Sequence, residues 1–191
     1  ARFKRNDNCK VHFLTGTDEH GLKIQKSAEK QALDPLIFCN KISKIFKDFA
    51  IKLNLSNDDF IRTTERRHHI SVNNLWDRLV SSGDIYLSKY KGWYSVSDEA
   101  YYNSDEVVEK QGKKFSTFSG SSVEWVEEES FFFKLSSWQN KLLEFYDKNE
   151  KFILPISRRN EVINFVKSGL KDLSVSRTSF TWGIKVPNNN K

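Results

Sequence analysis

The sequence predicts an α/β protein with a partial parallel sheet, interrupted by an α+β insertion. Three observations carry this reading. Two short apolar runs, Val11–Thr15 and Phe60–Thr63, are each followed by a helical pattern, and strand–helix–strand–helix order implies parallel strands. From Ile85 to about Val126 the character changes. Aromatic residues are dense there (Tyr86, Tyr90, Trp93, Tyr94, Tyr101, Tyr102), and Gly92, Gly112 and Gly120 mark turns, as in short antiparallel strands. Helical spacing returns after Ser136. A change from crossovers to hairpins within one chain reads as an inserted subdomain. The expected organisation is 1–84 for the sheet-bearing part, 85–170 for the insertion and 171–191 for a return to the first part.

Each element has a local reason. Ala1 to Arg5 reads as the tail of a helix, and the chain contains no Met, so it is expected to be an internal piece of a longer protein. After Val11–Thr15, residues Leu22, Ile24, Ala28 and Ala32 recur loosely at helical spacing over 19–32. Asp34-Pro35 supplies an N-cap and a proline at the first helical position, a strong helix start. The helix runs to about Leu53, with Phe38, Ile42, Ile45, Phe46, Phe49 and Leu53 as its apolar stripe. Thr64 is placed to cap a helix from about Glu65 to Ser82, with Leu75, Trp76 and Leu79 inward and Gly83 as its stop. The neighbours His68 and His69 point to different faces, so they suit a solvated helix start better than a metal site.

Glu127-Glu-Glu129 before Phe131-Phe-Phe133 reads as the exposed edge of a buried strand. Ser136 or Ser137 is expected to cap a helix with Trp138, Leu142, Phe145 and Tyr146 inward. Pro155 and Ser157 start another, with Val162, Phe165 and Val166 buried and Gly169 as C-cap. The aromatics of the middle region suit the core of a small β unit; base stacking is the other use of such residues.

The bulk numbers bound the function. The chain has 191 residues, 38% hydrophobic and 14% aromatic, enough for a real core and unlike a disordered segment. Its net charge of +6 suits an RNA partner, although many soluble proteins share it. Two cysteines, Cys9 and Cys39, make no disulfide framework and read as reduced thiols of a cytoplasmic protein. No apolar run approaches a membrane span and no signal peptide heads the chain, so no membrane partner is expected.

The chemistry-bearing stretch is Lys10-Val-His-Phe-Leu-Thr-Gly-Thr-Asp-Glu-His-Gly21. Asp18 and His20 stand where strand becomes helix, and parallel sheets bind ligands at the carboxyl ends of their strands. A plain strand–helix turn, with Asp18 as helix cap and His20 solvated, satisfies the same pattern. A second polar group, Arg177, closes an alternation of apolar residues and serines. Its planar fork suits carboxylate or phosphate, and an ordinary salt bridge equally.

Taken together, several stretches resemble methionyl-tRNA synthetases, a class I aminoacyl-tRNA synthetase family. They are Phe13-Leu-Thr-Gly-Thr-Asp-Glu-His-Gly-Leu-Lys-Ile24, Phe60-Ile-Arg-Thr-Thr64, Phe131-Phe-Phe-Lys-Leu-Ser136, Arg159-Asn-Glu-Val162, Gly169-Leu-Lys-Asp-Leu-Ser-Val-Ser-Arg177 and Trp182-Gly-Ile-Lys-Val-Pro187. Any one is weak, but they fall in the family's order and span nearly the whole chain. The resemblance implies a Rossmann-like catalytic sheet split by a connective insertion. It implies a two-step reaction, in which methionine and ATP give methionyl-adenylate and pyrophosphate and the aminoacyl group then passes to the 3′ end of tRNA(Met). The His-x-Gly-His and Lys-Met-Ser-Lys-Ser signatures of the family are absent, so this chain would be the middle of the enzyme and inactive by itself. Lys41-Ile-Ser-Lys44 resembles the second only superficially, because its lysines fall on the solvent side of a regular helix, whereas a phosphate-binding loop must move.

The resemblance also implies roles. Asp18 would hold the methionine ammonium, Arg177 would neutralise charge on the carboxylate–phosphate side as the catalytic residue, and His20 and Gly16 would line the nucleotide side. ATP with Mg2+ would enter as a substrate complex. Lys89, Lys91, Lys113 and Lys114 are candidate contacts to the tRNA acceptor end, with a solvated face as the plainer reading of each. Many relatives carry a zinc knuckle in the insertion. Here Ser95 and Asp98 stand where its cysteines would be, so no metal site and no structural zinc is expected, as in a zinc-less bacterial and organellar branch. The protein is expected to be a monomer. Two rivals differ in kind. A synthetase for another aliphatic amino acid would need a larger editing insertion than the roughly 85 residues available, and a non-catalytic RNA-binding module could retain the fold.

Overall fold

The computed structural model describes every residue except Glu99, Ser179 and 189–191, and the side chains of all described residues except Tyr90 and Glu128. The roles expected of those two side chains, and those parts of 85–170 and 171–191, lie outside the described residues.

The first expected crossover forms. Strand β1 (Leu14–Thr17) pairs in parallel with β2 (Asp59–Arg62), Thr15 opposite Phe60 and Gly16 opposite Ile61. Between them run helices α2 (Leu22–Glu29) and α3 (Pro35–Lys52), preceded by the short α1 (Arg2–Asn6). The strand begins later than expected. Gly16 permits the pairing: a Cβ there would lie 1.9 Å from the Ile61 carbonyl oxygen. Helix α2 is shorter than its pattern and is capped by Gly21, whose φ of 104° lies in the left-handed region that favours glycine. Asp18 is therefore not a helix cap. Asp34 does cap α3, its carboxylate accepting from the Leu36 and Ile37 amides.

The apolar stripe of α3 is a correction. Ile45, Phe46, Phe49 and Leu53 are all more than half exposed, and Cys39, Ser43 and Ala50 are buried instead. The parallel sheet has only two strands among the described residues, so it covers one narrow strip of the helix. Small side chains let that strip approach the turn after β1: the Cys39 thiol reaches the Glu19 carbonyl at 3.5 Å and the hydroxyls of Thr17 and Ser43 lie 3.4 Å apart. Lys41 and Lys44 sit on this regular helix, Lys44 paired with Asp48 at 2.7 Å.

Helix α4 (Arg66–Ser81) follows β2 and ends at Gly83, φ 74°. Thr64 spends its hydroxyl on Glu19 rather than on a cap. Leu75 is 56% exposed, so the inward face is narrower than expected. The antiparallel strands expected after Ile85 are present: β3 (Ile85–Ser95), β4 (Ala100–Tyr102), β5 (Val107–Lys110), β6 (Lys113–Ser116) and β7 (Glu124–Phe133). Two helices, α5 (Gln139–Lys148) and α6 (Ile156–Lys167), then lead to β8 (Leu173–Ser174). One sheet has the order β4-β3-β7-β8, and β5 and β6 form a separate hairpin. Glu127 lies within β7, paired with Lys91 at 2.7 Å. Neither Ser136 nor Ser137 caps α5. Ser136 donates to Asp172 and Ser137 to the Lys134 carbonyl, in a 3-10 turn that leads into the helix. Phe165 is 68% exposed, whereas Val166 is buried and Gly169 follows α6 at φ 105°.

By compactness the chain divides into two units. One holds Ala1–Leu75, Gly92–Val126 and Ser179–Lys191; the other holds Trp76–Lys91 and Glu127–Thr178. The first buries Ala28, Cys39, Ala50, Tyr94 and Val123, the second Ile85, Val166 and Leu170. In the second, Tyr86 stacks on Phe132 and Trp76 meets Phe131 edge-on, so Tyr86 of the dense aromatics serves as packing. No helix among the described residues is long and apolar enough to cross a membrane.

Candidate active site

The turn after β1 is organised by a residue that periodicity does not single out. Glu19 is 3% exposed. Its carboxylate receives a two-point salt bridge from Arg62 of β2, Nε to Oε1 and Nη2 to Oε2, both at 2.8 Å. The hydroxyls of Thr17 and Thr64 donate to the same two oxygens at 2.6 Å. Burial pushes this carboxyl up, and the Arg62 bond with the two hydroxyls outweighs it and holds the group below the usual glutamate range. The Glu19 backbone is fixed as well. Its amide donates to the Thr63 hydroxyl at 2.8 Å, and its carbonyl accepts the Trp182 indole N–H at 2.6 Å. The Gly21 amide returns to the Trp182 carbonyl at 3.1 Å.

With Glu19 turned inward, Asp18 turns outward and His20 is only partly covered. Asp18 is exposed and accepts a long hydrogen bond, 3.4 Å, from the Thr63 hydroxyl. It presents an acceptor-only carboxylate at the carboxyl end of β1, which suits an ammonium. His20 is half-buried between two rings, Trp182 at 5.5 Å and His69 at 5.6 Å between centroids. Burial and the facing His69 push the His20 pKa down, against a smaller upward pull from Asp18. His69 is therefore not a solvated helix start: it packs on His20, and its Nε2 is buried. The Cys39 thiol, pushed up to about 11 by burial and by the charge of Glu19, is no nucleophile at neutral pH.

Arg177 belongs to the second compact unit. Its Nη1 donates to the Ser174 hydroxyl at 2.9 Å and to the Ser176 carbonyl at 2.7 Å. The candidate lysines differ. Lys91 is paired with Glu127, and Lys114 with Glu109 at 2.9 Å while lying over the Trp93 ring. Lys89 and Lys113 are exposed on β3 and β6.

Ser95 and Asp98 belong to a cluster of hydroxyls. Asp98 accepts from Tyr102 and Ser121, each at 2.8 Å, and from Ser119. Those bonds, Ser119 first, hold its carboxyl down at about 2. The buried hydroxyls of Ser95 and Ser116 accept backbone amides across the two turns, from Asp98 and from Phe118 and Ser119. Among the described residues no group of three His, Cys, Asp or Glu side chains is placed to hold a metal.

Residues 1–191 match the family model described as tRNA synthetases class I (M). The chain belongs to the class I tRNA synthetases. It is 56% identical over 191 residues to a methionine–tRNA ligase of Rickettsia typhi, and 56% over 189 residues to one of Rhizobium meliloti. It covers 37% and 36% of those proteins, so it spans little more than a third of their length. It superposes with a TM-score of 0.94 and 47% identity on a Mycobacterium tuberculosis methionyl-tRNA synthetase in complex with methionyl-adenylate, over 98% of this chain and 37% of that one. The Rossmann-like class I fold expected from the sequence is thereby established for this synthetase segment.

The sequence singles out Asp18, His20 and Arg177, and assigns no role to Glu19, Arg62 or Trp182, which organise the turn, or to His69, which packs on His20.

Proposed function

We propose that the protein containing this chain is a methionine–tRNA ligase, which activates methionine with ATP and transfers it to tRNA(Met). One observation carries the reading: close likeness, over 98% of the chain, to a synthetase in complex with methionyl-adenylate. The exposed carboxylate of Asp18 supports the same reading, since beside its long hydrogen bond from Thr63 it presents acceptor oxygens that suit an ammonium. In the first step the methionine carboxylate attacks the α-phosphorus of ATP and pyrophosphate leaves. In the second the tRNA 3′-terminal hydroxyl attacks the acyl carbon and AMP leaves. No protein nucleophile is needed, and orientation with charge neutralisation supplies the rate.

In this reading Asp18 orients the ammonium, and Arg177 is the residue assigned to charge neutralisation. His20 and Gly16 lie on the nucleotide side, and ATP arrives with its Mg2+. Lys89 and Lys113 are the better candidates for the acceptor strand, since Lys91 and Lys114 already have carboxylate partners. Residues 1–84 and 171–191 would belong to the catalytic domain and 85–170 to the connective insertion, which the Asp98 cluster holds without zinc. A cytoplasmic monomer fits this function. The test is Asp18→Asn in the full-length protein. A large rise in KM for methionine with an unchanged melting temperature supports the role; loss of folding would make Asp18 structural.

A further inference from the structure

The run from Leu173 to Arg177 inverts the usual burial of an extended chain. Alternate side chains there share one face. Leu173 and Val175 are exposed, whereas Ser174 and Ser176 are half-buried. The two serines turn toward β7, where Ser130 is fully buried. Buried hydroxyls are tolerated only when they are paired. Here the pairing runs through Arg177, a residue of the same compact unit.

Counting protons gives each bond its direction. A guanidinium only donates. Arg177 Nη1 gives its protons to the Ser174 hydroxyl at 2.9 Å and the Ser176 carbonyl at 2.7 Å, with the Ser174 carbonyl farther off at 3.3 Å. The Ser174 hydroxyl, an acceptor from Arg177, keeps its own proton for Ser130 Oγ at 2.5 Å, since the Ser176 carbonyl is 3.4 Å from it. Ser130 in turn donates to the Ser176 carbonyl at 2.9 Å; the Phe131 carbonyl and the Ser176 hydroxyl are both more distant, at 3.3 Å. The bonds therefore close a ring. They run from Nη1 through Ser174 and Ser130 to the Ser176 carbonyl, which also accepts from Nη1 directly. Two backbone bonds hold the ring against β7: the Phe131 amide donates to the Ser176 hydroxyl at 2.9 Å, and the Val175 amide to the Phe131 carbonyl at 2.8 Å. Every acceptor in the ring is neutral, so the ring orients the guanidinium without cancelling its charge. Arg62, by contrast, is held by the carboxylate of Glu19.

We propose that Ser174 and Ser130 are positioning residues for Arg177, holding one nitrogen of its fork so that the charged group is preset for the developing negative charge. A long arginine side chain otherwise gives up rotamer freedom when it engages a ligand, which weakens the contact. Here folding has already fixed it, and a donor set in place before the reaction costs no reorganisation during it. Ser130, being fully buried, acts only through the residues it touches. This deepens the role assigned to Arg177 above and rests on it.

The test is ATP–pyrophosphate exchange by the full-length protein carrying Ser174→Ala or Ser130→Ala. Ser174→Ala is expected to lower kcat about three- to tenfold, the worth of one hydrogen bond, with KM for methionine and ATP within about twofold. Ser130→Ala lowers kcat in the same way but by less. Ser174→Thr, which keeps the hydroxyl and suits a strand, restores kcat. In an Arg177→Ala background, Ser174→Ala lowers kcat no further, because the serine acts through the arginine. NMR of the arginine side chains shows separate Nη signals for Arg177, which Ser174→Ala averages. Unchanged kcat in Ser174→Ala overturns the proposal. So does a lowered melting temperature with kcat intact, or a full further loss in the Arg177→Ala background. If Arg177→Ala itself leaves exchange intact, the charge-neutralising role of Arg177 fails instead, and the NMR signals still decide whether the ring holds its guanidinium.

Discussion

Glu19 and Arg62, 43 residues apart, meet in a two-point salt bridge at 2.8 Å on both arms, with the Glu19 side chain 4% exposed and that of Arg62 17%. The pair ties the end of β1 to β2 and so sets where Asp18 and His20 point. Breaking a buried pair leaves an uncompensated charge. Glu19→Gln should therefore cost about 3 kcal/mol, read as a drop in the unfolding midpoint of the first unit. Replacing both partners by apolar residues of similar size, as in Glu19→Leu with Arg62→Met, should recover part of that loss. A single change no worse than a surface substitution would show that the pair is dispensable.

The same pair has a pH signature. The Glu19 carboxyl is held below its ordinary value near 4.5, so its contribution to stability is complete above that value and lost as pH falls through the folded value. Acid unfolding of wild type and Glu19→Gln, followed side by side, should converge at low pH and diverge as pH rises from the folded value to the ordinary one, with a constant gap above it.

Gly16 is a packing requirement as well as a part of the motif. A methyl group there meets the Ile61 carbonyl oxygen at 1.9 Å and must push β1 from β2. Gly16→Ala is expected to destabilise by about 3 kcal/mol or more and to raise KM for methionine, because the strand end that carries Asp18 moves. Normal stability in that variant would contradict the tight parallel pairing.

Trp182 donates its indole N–H to the Glu19 carbonyl at 2.6 Å. Trp182→Phe keeps most of the ring against His20 and leaves that carbonyl without this donor, at a cost of about 1–2 kcal/mol. Thermal unfolding measures this directly. A neutral result would mean that the Cys39 thiol, which also approaches this oxygen, suffices.

The hydroxyl cluster around Asp98 predicts a second acid transition. With its carboxyl at about 2 against an ordinary 3.8, Asp98 stabilises its turns above the ordinary value and loses that effect as pH falls toward 2. Hydrogen exchange of the Ser95 to Ser121 amides should show local opening in this window, and Asp98→Asn should open the same amides at neutral pH. Stoichiometric zinc in the purified full-length protein would contradict the view that these hydroxyl bonds take the place of a metal.

Much of this was legible from local chemistry. Asp34-Pro35 announced α3 and Gly169 the end of α6, because caps are set by residues adjacent in sequence. The strand–turn stretch announced Asp18 and His20 in the same way. Glu19 was hidden because its partners are remote: Arg62 lies 43 positions on and Trp182 163. The stripe of α3 misled for a related reason. Periodicity reports that a helix has an apolar face, but what covers the face is tertiary, and here the small residues Cys39, Ser43 and Ala50 make the buried contact while Phe46 and Phe49 do not. His69 beside His20 likewise needed the packing of α4 on the β1 turn, which no spacing within α4 reveals.

Amino-acid-dependent ATP–pyrophosphate exchange by the full-length protein, run across all twenty amino acids, is the most direct test of the proposed activation of methionine. Exchange that depends on methionine alone is the predicted result. Exchange driven by a different amino acid, or none at all from folded protein, would contradict it.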